Sequence, residues 1–71
     1  MRLELLAKDK DSGDDGCPSV WVDADDGTFV VQGEHVDNSL LNNYLPGEGG
    51  VKISPDIVLR AMAHYRERGL V

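Results

Sequence analysis

Ser19-Val20-Trp21-Val22-Asp23-Ala24-Asp25-Asp26-Gly27-Thr28-Phe29-Val30-Val31-Gln32-Gly33 is the stretch that decides the fold. Val20, Trp21 and Val22 form one strand-favouring run, and Thr28, Phe29, Val30 and Val31 form a second. Between them lies Asp25-Asp26-Gly27. Asp-Gly is a preferred two-residue hairpin turn because both positions can take positive φ. A turn at Asp26-Gly27 sets Asp25 opposite Thr28, Ala24 opposite Phe29 and Val22 opposite Val31. One side of the hairpin 19–33 then shows Val20, Val22, Ala24, Phe29 and Val31, all apolar and expected on the core. The other side shows Trp21, Asp23, Val30 and Gln32. A one-residue bulge at Gly27 would instead bring Trp21 onto the face of Phe29 and Val31. The two-residue turn is preferred because it separates the faces more cleanly.

Working outward from the hairpin, residues 2–6 alternate through Leu3 and Leu5 in a strand period, until Leu6 breaks it and leaves a short helical start open. Residues 8–18 mix charged side chains with Gly13, Gly16 and Pro18 and show no apolar period, so a mobile acidic loop is expected. On the far side, Val36, Leu40, Leu41, Tyr44 and Leu45 recur at helix-like spacings. Asp37 is a candidate cap for a short helix running to about Tyr44. Val51-Lys52-Ile53 reads as a third short strand. Ser54-Pro55-Asp56 then opens a helix over 55–68. Serine caps its free amides, proline is tolerated at its first position, and the aspartate suits its positive end. Ile57, Val58, Ala61, Met62 and Tyr65 trace its apolar stripe, with Arg60, His64 and Glu67 on or near the opposite side. Arg66 and Arg68 suit its last turn, and Gly69 is the expected terminator. The sequence therefore predicts an α+β class, with a small antiparallel sheet covered on one face by a C-terminal helix.

The chain has 71 residues, enough for a single domain over 1–71. A chain this short buries only about 60% of the surface its unfolded form exposes, so the core must be thin. Cys17 is the one cysteine, which excludes a disulfide within the monomer and points to a reducing compartment. The opening residues Met1 to Asp11 contain no long apolar stretch, and no run approaches the ~18 apolar residues of a membrane span. A cytoplasmic location is expected. Thirteen acidic residues against seven basic ones give a net charge of −6, which argues against direct nucleic-acid binding. Acidic residues concentrate early and Arg60, Arg66 and Arg68 late. This polarity would orient the protein toward a basic partner, and it also keeps a small protein dissolved.

No residue pattern carries catalysis. Asp9, Asp11, Gly13 and Asp15, and again Asp23, Asp25, Asp26 and Gly27, superficially have calcium-loop spacing. The first segment places Gly13 at the fifth ligand position and Val20 at the twelfth, and the second reaches its glycine one residue early. Cys17, His35 and His64 are isolated, whereas structural zinc takes four ligands in close pairs. Cys17 follows aspartates that would raise its pKa rather than activate it. Gly47, Gly49 and Gly50 follow a helix-like segment, not the strand that leads into a phosphate loop. A protein of this size is also expected to lack depth for a ligand pocket of ~300 Å³ or more. The expectation is a non-enzyme with no cofactor and no metal.

Trp21 is the candidate contact residue, with Asp23, Val30 and Gln32 around it, because tryptophan is enriched at the energetic centres of interfaces. The competing expectation is that the N-terminal strand, the middle segment or a second copy of the chain covers the indole. Leu5-Leu6-Ala7-Lys8-Asp9, Cys17-Pro18-Ser19-Val20-Trp21-Val22-Asp23 and Gly27-Thr28-Phe29-Val30-Val31-Gln32-Gly33 together resemble a group of short bacterial proteins common in actinomycetes. Val51 to Arg66 matches the last part of that pattern in character, and Glu34 to Gly50 departs from it. Members are often encoded beside helix-turn-helix regulators. The resemblance implies a regulatory accessory protein and supplies no active-site residues. The leading expectation is thus an acidic interaction protein whose partner is a basic protein such as a helix-turn-helix transcription regulator. The alternatives are a calcium-binding module built on the aspartate-rich loop and a self-associating homodimer subunit.

Overall fold

A computed structural model describes residues 1–10 and 18–68. Three antiparallel strands, β1 (Leu3–Lys8), β2 (Ser19–Asp23) and β3 (Phe29–Gln32), form one sheet in the order β1-β2-β3. A second ribbon pairs β4 (Glu34–Val36) with β5 (Gly50–Lys52), and the helix α1 (Pro55–Glu67) follows. The molecule is α+β, with one helix packed against β1 and β2. The core is small. Leu6, Ala7, Val20, Val22, Ile57 and Ala61 are buried, with Ile53, Met62 and Tyr65 packed around them.

The hairpin reverses differently from the two-residue turn expected at Asp26-Gly27. Val22 pairs with Phe29, Trp21 with Val30, Val20 with Val31 and Ser19 with Gln32. The reversal spans residues 24–27, closed by Asp23 N–H to the Thr28 carbonyl at 2.8 Å and Gly27 N–H to the Asp23 carbonyl at 2.8 Å. The physical reason lies in backbone conformation. A two-residue turn of the preferred type requires positive φ at Asp26 as well as at Gly27. Here Gly27 alone carries it, at +79°, where a β-carbon would be strained. The register moves by two residues. Because side chains alternate with period two, every residue keeps its face. Val20, Val22, Phe29 and Val31 lie on the helix side, and Trp21 lies opposite, as the sequence predicts.

β1 runs to Lys8 rather than ending near residue 6, because the pairing with β2 slips between Leu5 and Ala7. This β-bulge puts Leu6 and Ala7 both into the core, at 5% and 7% exposure. Leu6 breaks the sequence alternation for that reason, not because a helix begins there. The expected third strand at 51–53 exists one residue earlier, at Gly50–Lys52. It pairs with Glu34–Val36 in a separate ribbon rather than joining the hairpin sheet. The helix expected to run to about Tyr44 contracts to one 3-10 turn, Asn38–Leu40. Asp37 does cap it, accepting from Ser39 N–H at 2.9 Å. Leu40, Tyr44 and Leu45 stay exposed, so no core exists to hold a longer helix.

α1 begins as predicted. Ser54 is the cap, its hydroxyl accepting from Asp56 N–H at 3.3 Å, with Pro55 in the first turn. Arg60 and His64 do not simply face solvent. Arg60 donates to the Lys8 carbonyl at 2.8 Å, and His64 Nδ1 lies 3.0 Å from the Leu6 carbonyl. A carbonyl only accepts, so that nitrogen carries the proton. Both carbonyls belong to the outer side of β1, which the bulge and ladder leave unpaired, so the two side chains fasten the helix along that edge. Most of the expected mobile loop 8–18, together with Cys17 and the terminator Gly69, lies outside the described residues. The loop's flanks are pinned by Asp9 N–H to the Pro18 carbonyl at 2.9 Å. No helix among the described residues is long and apolar enough to cross a membrane.

Candidate interaction surface

The β1-β2-β3 register assembles the sheet face away from α1. Leu5 lies opposite Trp21, and Trp21 lies opposite Val30, so the three side chains form a row across all three strands. Leu3 extends the row along β1, opposite Asp23. Leu3 and Leu5 remain 41% and 40% exposed, and Trp21 and Val30 are half-buried. The element that packs broadly on this sheet, α1, covers the other face. The sequence singles out Trp21 and Val30. It misses Leu3 and Leu5, whose alternation is visible but whose partner strand is not.

The indole is held along its own strand. Trp21 Nε1 donates to Ser19 Oγ at 2.8 Å, and Ser19 Oγ donates to Gln32 Oε1 at 3.3 Å. Gln32 thus lies on the same face as Trp21, exposed, and orients the indole through Ser19. Asp23 has a different place. It is buried at 5% exposure, and its Oδ1 accepts from Arg2 N–H at 3.2 Å and Asp25 N–H at 2.9 Å. That carboxylate shapes the hairpin loop and pins the start of β1. A partner would meet Leu3, Leu5, Trp21, Val30 and Gln32 before it met Asp23.

The aspartates of the loop are each engaged. Asp25 pairs with Arg2 Nε at 2.5 Å. Asp26 accepts from both the Thr28 hydroxyl, at 2.7 Å, and the Thr28 N–H, at 3.0 Å. The hydroxyl bond first, and the backbone bond second, hold the Asp26 carboxyl below the ordinary aspartate value. The Ser39 backbone bond does the same for Asp37. Among the described residues no group of three His, Cys, Asp or Glu side chains converges to hold a metal.

Hollows open on the helix side of the described residues. One, of 180 Å³, is lined by Glu4, Val22, Ala24, Tyr65 and Arg68. Another, of 340 Å³, runs past Asp9, Pro18, Glu34, Lys52 and Ile57. Its volume exceeds the ~300 Å³ of an ordinary ligand site, yet it is an open trough between the ribbon and the helix start. Ser54, the cap of α1, also lines this trough, and its hydroxyl accepts from Asp56 N–H. Searches of protein-family models, curated proteins and solved structures each gave no match to this chain.

Proposed function

We propose that this chain is a non-enzymatic, cytoplasmic interaction protein that binds a basic protein through the sheet face of Leu3, Leu5, Trp21 and Val30. One observation carries the reading: an apolar row centred on a tryptophan crosses a sheet face that α1 leaves open. Tryptophan is enriched among the few residues that supply most of the affinity at protein interfaces. The net charge of −6 favours a basic partner and speeds its approach. The resemblance to proteins encoded beside helix-turn-helix regulators makes such a regulator the first partner to try.

Affinity capture with the wild-type chain and with Trp21→Ala tests this. The wild type is expected to retain basic proteins, less strongly as salt rises, and Trp21→Ala is expected to lose them. Identical recovery by the two chains, or retention insensitive to salt, contradicts the reading.

A further inference from the structure

The sheet has two outer edges, and they are treated differently. On the β1 edge, the Leu6 and Lys8 carbonyls are taken by His64 and Arg60 of α1. Among the described residues the β3 edge has no such cover. The bond from Asp23 N–H to the Thr28 carbonyl fixes the ladder phase. Bonded and non-bonded pairs alternate from there. Trp21–Val30 and Ser19–Gln32 are therefore the bonded pairs, and the N–H and C=O groups of Phe29 and Val31 point away from β2. No described strand pairs with that side of β3.

The edge also lacks the usual protection. Open edges are commonly blunted by lysine, proline or bulges. Phe29-Val30-Val31-Gln32 has none of these. Phe29 and Val31 stay 38% and 41% exposed, although Tyr65 meets the Phe29 ring edge-on at 4.9 Å. Acidic residues stand at both ends of the strand: Asp25 and Asp26 before it, and Glu34 after it.

These charges choose the occupant. In a second copy paired antiparallel about Val30, Asp26 of one chain approaches Glu34 of the other at both ends, and like charges opposed across strands are destabilising. A foreign strand with an apolar centre and basic ends meets Asp26 at one end and, at the other, Glu34, which lies opposite Lys52 on its own ribbon. We propose that the outer edge of β3 accepts an extended segment of a basic partner as a fourth strand of the sheet. Backbone bonds to Phe29 and Val31 supply the pairing, and Asp26 and Glu34 select the ends. This proposal rests on the reading of the chain as a binder of a basic protein, and it specifies how that partner enters.

The test uses a short synthetic peptide of alternating valine and threonine with a lysine pair at each end, titrated calorimetrically against the full chain. Val31→Pro removes an outward N–H without touching the β2 ladder, a position where edge strands tolerate proline. The peptide is expected to bind the wild type, with affinity reduced about tenfold or more by Val31→Pro. The same peptide N-methylated on alternate residues, tested on the wild-type chain, is expected to weaken similarly. Equal binding of the methylated and unmethylated peptides overturns the proposal. If a lysine-leucine helical peptide binds in a Trp21-dependent manner while the strand peptide does not bind, the edge is overturned and the sheet-face reading stands. If neither peptide binds, both readings fall. A dimer in sedimentation that Val31→Pro dissociates makes a second copy the occupant and also overturns the proposal.

Discussion

At Gly33 a β-carbon would fall 2.5 Å from the Lys52 carbonyl oxygen and 3.3 Å from the Val51 side chain. Backbone cannot yield as a flexible side chain can, so the β3-to-β4 passage requires glycine for its close approach to β5. Gly33→Ala is expected to cost about 1–3 kcal/mol through overpacking. In a domain of this size each kcal/mol moves the melting temperature by roughly 4–8 °C, so a thermal melt unchanged within error contradicts the packing described. Asp26 sets a second expectation. Its folded pKa is lowered by Thr28, so its stabilising contribution is complete above the unfolded aspartate pKa of 3.8. That contribution disappears as pH falls through the lowered folded value. Asp26→Asn is expected to remove part of the acid-side fall in stability while leaving the slope near neutrality unchanged. Parallel acid curves for the two chains rule this out. That Asp26 binds Thr28 rather than forming a two-residue turn was not legible in Asp-Gly alone. Both arrangements use the same residues, and they differ in whether an aspartate takes positive φ.

At the scale of elements, α1 joins β1 through side chains the sequence assigns to the far side of the helix. Arg60 and His64 stand four residues apart on one helix flank, and each reaches a β1 carbonyl. Replacing either with alanine is expected to cost about 0.5–1.5 kcal/mol, measured by urea unfolding. Arg66→Ala, on an exposed position of the same helix, is expected to change little. Equal effects at Arg60 and Arg66 contradict the fastening of the β1 edge. The helix itself was readable because its cap, its proline and its apolar stripe all agree. β4 was not, since Glu34-His35-Val36 has no alternation long enough to register. The face assignment of the hairpin was readable despite the wrong loop length, because a two-residue slip preserves side-chain direction. The partnership of Leu5 with Trp21 was hidden, because it depends on a long-range pairing and a bulge that no local pattern announces.

At the scale of the molecule, six buried apolar side chains among the described residues hold the sheet to the helix. Ile57, at 3% exposure, stands with Val20, Val22 and Ala61 in that cluster. Ile57→Ala is expected to cost about 2–5 kcal/mol, a large share of the 5–15 kcal/mol typical of folded domains. A thermal melt followed by circular dichroism would then show the midpoint lowered by roughly 4–8 °C per kcal/mol, and an unchanged midpoint would mean the core lies elsewhere. With so little core, α1 covers the β1 and β2 part of one sheet face, and the other face carries Trp21 among aliphatic neighbours. Two-dimensional nuclear Overhauser spectroscopy of the wild-type chain tests that arrangement most directly. The indole protons of Trp21 are predicted to show contacts with the side chains of Leu5 and Val30. Contacts from the indole to Ile57, Ala61 or Tyr65 would place it in the core and contradict the account.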